Sequence, residues 1–183
     1  MVIEAGLRGA SYLARGRAEG LMLIEDTPAG ALRSFWAAAI CLPAFLALRL
    51  FDWGQGAGTG GFGQTLAAEF LGYVVSWAGF GLASRRLAAV MGRQAEWPHF
   101  LAAFNWANVV QYLVLILLTL PGQALPGVLS SGLTLAAAGY ALWLEWFIAR
   151  SALLLPGGQA IGFVALDLLV TLMVQSVVNG LAP

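Results

Sequence analysis

The chain has 183 residues, a formal net charge of zero, and a composition that is 60% hydrophobic and only 10% charged. A soluble domain usually carries about 25% charged residues, so a water-soluble enzyme or carrier is excluded. The net charge of zero also argues against nucleic acid as a partner.

Residues 1–33 alternate charge with Leu and Ala and hold no compact apolar core, so no cleaved signal peptide is expected. Residues 2–18 predict an amphipathic interfacial helix. Ile3, Leu7, Ala10 and Ala14 fall on one side with Leu13 nearby, and Glu4, Arg8, Ser11 and Arg15 on a polar side. Such a helix would lie along the inner membrane surface with its arginines near anionic lipid. A solvated cytoplasmic helix is the plainer alternative. Asp26-Thr27-Pro28 then reads as a helix start, with Thr27 as N-cap and Pro28 at the first helical position.

Five apolar runs follow, at 34–51, 64–84, 100–120, 127–149 and 157–178. Each is close to the ~20 residues that a helix needs to cross a bilayer core. The expected fold is all-α: residues 34–183 form a polytopic bundle of five transmembrane helices behind a cytoplasmic or interfacial segment, 1–33. Pro43 is expected to kink the first span. Cys41, the only cysteine, permits no intramolecular disulfide and reads as a small buried side chain.

Between the first two spans, Gly54 to Gly63 matches the nucleotide fingerprint G-x-G-x-x-G. That fingerprint works only between a strand and a helix N-terminus. No strand precedes it here, so it reads as a flexible external loop. In the second span, Ala68, Gly72, Ser76, Gly79 and Ala83 form a stripe of small residues of the kind that lets helices approach closely in lipid. The stripe predicts packing inside the bundle or, as the sharper alternative, a dimer face. The third span opens with Asn105 and Asn108 and continues to Gln111 and Tyr112 on one face. These groups are read either as interhelical glue or as the lining of a polar cavity.

Three acids lie within spans, where ionisable groups are costly and point to function. Glu69 lies at a depth that lets it pair with Arg49 of the first span. Glu145 lies near the inner end of the fourth span, in reach of Asn105 or Arg150. Asp167 lies ten residues after Gly157, near the midplane, where no basic residue reaches. Ionised and alone there, it would cost a few kcal/mol or more on insertion scales. It is therefore expected either to be neutral and bonded to Gln111, or to be hydrated in a cavity. His99 is the only histidine, and no metal-ligand cluster, H-E-x-x-H or Gly-x-Ser-x-Gly is present. No enzyme activity, cofactor or metal is expected.

All nine basic residues are Arg, which with the many Ala and Gly suggests a GC-rich bacterial coding sequence. Arg8, Arg15, Arg17 and Arg33 precede the first span, Arg85, Arg86 and Arg93 follow the second, and Arg150 follows the fourth. Only Arg49 falls on the other side. Cytoplasmic loops retain arginine, so the N-terminus is expected inside and the C-terminus in the periplasm. Phe35 and Trp36, Phe51 and Trp53, Trp97 and Phe100, and Trp143, Trp146 and Phe147 mark the expected membrane boundaries.

Phe104-Asn105-Trp106 and the run from Glu145 to Leu153, followed by Ala160 to Asp167, are similar to patterns in the bacterial branch of the Yip1-like membrane proteins. The resemblance covers nearly the whole chain, which lacks the acidic and Gly-Tyr-Gly patterns of eukaryotic members. It implies a non-enzymatic inner-membrane protein of five spans. The expected role is action through contacts with lipids, with other membrane proteins or with itself. The alternative is a small channel or transporter with a polar path near Asp167, Glu145, Asn105 and Asn108.

Overall fold

The computed structural model describes residues 2–54, 61–122 and 125–181. Helix α1 (Val2–Leu13), a 3-10 helix (Ala18–Leu23) and the short α2 (Pro28–Arg33) lead into α3 (Trp36–Gly54), α4 (Phe62–Val90), α5 (Trp97–Gly122), α6 (Gly127–Ala152) and α7 (Gly157–Leu181). Among the described residues every regular element is helical. Among these residues five helices are long and apolar enough to cross a membrane, α2 and α3 counting as one span over Pro28–Gly54. The protein is an all-α polytopic membrane bundle. Most of the loop from Gly54 to Gly63 lies outside the described residues.

Hydropathy locates the spans but not the helix ends. α4 runs on past Arg85 and Arg86 to Val90, and α7 continues to Leu181. Helices leave the hydrocarbon without unwinding, because their backbone hydrogen bonds are internal. α3 continues as a helix through Pro43. Local chemistry is more exact at the start of α2, where Thr27 Oγ1 accepts the Gly30 N–H at 3.0 Å and Pro28 opens the helix.

Around the bundle, α3 packs on α5, α5 on α6, α6 on α7 and α7 on α4, with looser contacts from α4 to α3 and α5. Every arginine except Arg49 lies at the end that carries the N-terminal segment and the α4–α5 and α6–α7 connections. The core is densest there. Phe100, Trp106, Leu144, Ile148 and Phe163 are all buried.

The N-terminal segment belongs to this core. α1 buries Gly6, Gly9, Ala10 and Leu13, while Ile3 is exposed. Its inward face is thus turned from the one expected, and it packs on α5 as part of the bundle. Gly6 lies against the Trp106 indole, leaving no room for a side chain. The turn that follows α1 closes at Gly16, whose φ of +72° is the left-handed conformation that glycine adopts freely. Tyr140 OH then donates to Ala14 O at 2.9 Å, and His99 Nε2 is 3.0 Å from Leu21 O. Phe100, expected at the membrane boundary, is instead fully buried against Phe163.

Candidate functional site

Helices α3, α4, α5 and α7 enclose a cleft of about 210 Å³. Asp167, Thr171 and Gln175 line it from α7, and Asn105, Asn108 and Tyr112 from α5. From α4 come Glu69, Tyr73, Ser76 and Trp77, and from α3 come Phe45 and Arg49. On α7 the polar residues recur every four positions and so share a face. Asn179 extends this ladder, its Oδ1 accepting from Gln175 Nε2 at 2.9 Å.

The amides are held in fixed orientations. Asn105 is buried, and its Nδ2 donates to Ser34 Oγ at 2.8 Å. Ser34 Oγ in turn donates to Ala31 O at 2.7 Å. This relay ties α5 to the turn between α2 and α3. Asn108 Nδ2 donates to Phe104 O at 3.0 Å, and Tyr73 OH donates to Ala38 O at 2.7 Å.

Aromatic rings close one end of the cleft. Phe80 and Phe104 line it and stack with centroids 4.1 Å apart, and behind them Phe100 meets Phe163 at 5.0 Å. This plug lies toward the α4–α5 connection. At the opposite end Arg49 Nη1 is 3.5 Å from Asp52 Oδ2 and 3.7 Å from Glu69 Oε1. Arg49 and Glu69 also line an outer pocket of about 140 Å³ with Asp52, Trp53 and Phe62.

The structure brings most of the sequence candidates together. Arg49 and Glu69 form the expected pair, and Asn105, Asn108 and Asp167 share the cleft. Gln111 does not bond Asp167. Its Nε2 donates to Ala141 O of α6 at 3.2 Å, because its place on α5 directs it toward that neighbour. Glu145 is buried outside the cleft, with Asp167 and Gln111 in electrostatic reach, and its Oε2 has no hydrogen-bond partner among the described residues. The partners expected for it are committed elsewhere: Asn105 bonds Ser34, and the Arg150 guanidinium sits 5.4 Å from the Trp146 ring centroid.

The small-residue stripe packs within the chain. A side chain added at Gly72 would place its Cβ 2.6 Å from Val178 Cγ2, and one at Gly79 would lie 3.7 Å from Val170 Cγ1. Ala68 is buried and Ala83 half-buried on the same helix, whereas Ser76 lines the cleft. Sequence reasoning missed Thr171 and Gln175. Their four-residue spacing from Asp167 was the available signal. Among the described residues no group of three or more His, Cys, Asp or Glu could hold a metal ion.

Fold and cleft together define a multi-pass helical membrane protein with a polar interior. No family model, curated protein or solved structure matches the chain.

Proposed function

We propose that the protein is a non-enzymatic, multi-pass protein of a bacterial inner membrane that admits a small polar solute into the cleft, as a small transporter or channel subunit. One observation carries this reading: a cleft lined by Asp167, Asn105, Asn108, Thr171 and Gln175 lies among membrane-crossing helices. Polar groups at that depth are costly unless they meet water, one another or a solute. The contact-based role, with a membrane partner or a second copy, has less support, because the stripe that suggested it is occupied by α7. The Yip1-like resemblance is kept as part of the proposal, with the arginine-rich end cytoplasmic and the Arg49–Glu69 mouth periplasmic.

Proteoliposome uptake of three matched probes, n-propanol, propionate and n-propylammonium, tests the function. At least one should enter faster than into protein-free vesicles, and Ser76→Trp, which fills the cleft, should abolish the difference. Identical uptake in all vesicles would end the reading. Orientation is tested by single cysteines at Gly63 and Gln94, which should react in cells from the periplasmic and cytoplasmic sides respectively.

A further inference from the structure

We propose that the cleft takes a small organic ammonium cation, with the Asp167 carboxylate as its counter-charge. This rests on the reading of the cleft as a solute site and names the chemistry of that solute. The argument is a balance of hydrogen-bond donors and acceptors. Asn105 and Asn108 each turn the amide nitrogen on to the protein, at Ser34 Oγ and Phe104 O, and keep the carbonyl oxygen free to accept. Gln175 does the same, with its nitrogen on Asn179 Oδ1. The Ser34 relay settles which way the Asn105 amide faces, because the Ser34 hydroxyl hydrogen is already spent on Ala31 O. The amides thus offer a guest acceptor oxygen, and the lining hydroxyls of Ser76, Thr171 and Tyr112 can each accept as well as donate, so they do not reverse that balance.

Charge points the same way. Among the described residues Arg49 is the only basic group lining the cleft, and it is held between Asp52 at 3.5 Å and Glu69 at 3.7 Å. Among the described residues Asp167 has neither a cation within 4.0 Å nor a hydrogen bond. An anion would meet Asp167 with no free positive group. A neutral guest would leave the carboxylate without a counter-charge inside the bundle, where unpaired charges are costly. An ammonium group supplies the charge and N–H donors to the amide oxygens, and the lining rings of Trp77 and Phe80 add cation–π attraction. A divalent metal fits less well, because it seeks six or more oxygen ligands, several of them carboxylates. At roughly 30 Å³ per water molecule, a cleft of about 210 Å³ accommodates a guest of a few heavy atoms.

The test uses the full chain in nanodiscs, with Cys41→Ala removing the native thiol and Ser76→Cys placing one in the cleft. Two thiol reagents of matched size are compared, a trimethylammonium-ethyl and a sulfonato-ethyl methanethiosulfonate, each normalised to its rate with a free thiol. The cationic reagent should react about tenfold faster or more, the scale of electrostatic focusing in a charged cleft. n-Propylammonium should slow it, while n-propanol and propionate should not. Asp167→Asn should bring the two rates toward parity. Equal rates in the parent, or a ratio unchanged by Asp167→Asn, would overturn the cation assignment and leave the cleft reading standing. Failure of both reagents to reach Ser76→Cys and a second position, Thr171→Cys, in protein that elutes as the folded species would overturn both.

Discussion

Arg49 Nη1 stands 3.7 Å from Glu69 Oε1 at the boundary shared by the outer pocket and the deeper cleft. Their side chains keep 37% and 17% of their exposure, so the pair is partly open and its attraction is screened. A double-mutant cycle with Arg49→Gln and Glu69→Gln should give a coupling of about 0.2–1 kcal/mol from thermal melts in detergent. A coupling above ~3 kcal/mol, the cost of breaking a desolvated pair, would mean that the mouth is dry.

Gly72 and Gly79 sit on one stripe but differ in clearance from α7. The Cβ of Gly72→Ala would lie 2.6 Å from Val178 Cγ2, whereas that of Gly79→Ala would lie 3.7 Å from Val170 Cγ1. Gly72→Val should therefore cost about 1–3 kcal/mol through overpacking. Gly79→Ala should be neutral or slightly stabilising, because it removes backbone freedom from a helix. Melting temperatures of both variants check this, and equal effects would contradict the α4–α7 packing.

Gly6 faces the Trp106 indole with no room for a side chain. Gly6→Val should lift α1 from α5 and lower stability by about 1–3 kcal/mol. Limited proteolysis reads it directly: cleavage before Pro28 should accelerate in the variant. An unchanged digestion pattern would mean that α1 is not docked.

These positions show what was legible in the chain. Five spans were, because a bilayer imposes a length on any apolar run. The Thr27–Pro28 start was, because capping is local. The docking of α1 was not, because nothing near Gly6 in sequence names Trp106 as its neighbour. Asp167 and Gln111 were matched by depth, but depth leaves rotation about each helix open, and Gln111 turned to Ala141 O. Ser76 shared a stripe with Gly72 and read as packing. Thr171 and Gln175 were not legible, because one polar residue in an apolar run carries no signal by itself, and only as a ladder with Asp167 do they mark the cleft.

Asp167 and Glu145 separate function from stability. Asp167 makes no hydrogen bond to Gln111, so neither Asp167→Asn nor Asp167→Leu strands a partner amide. Both variants should melt within ~1 kcal/mol of the parent while losing the cation preference. Glu145 Oε2, in a buried site, has no hydrogen-bond partner among the described residues. Glu145→Leu should hold stability or raise it by about 1 kcal/mol, since an unmet polar group is removed. Loss of folding in Glu145→Leu would show that the carboxyl is structurally required.

The central claim is that the cleft face of α7 meets water within the membrane. A cysteine scan of α7 in the Cys41→Ala background, with a hydrophilic membrane-impermeant thiol reagent, tests it most directly. Leu169 and Leu172 are 58% and 66% exposed and do not line the cleft. The account predicts reaction at Asp167→Cys, Thr171→Cys and Gln175→Cys, with Leu169→Cys and Leu172→Cys silent. Silence at all five positions, or reaction at Leu169→Cys and Leu172→Cys alone, would contradict it.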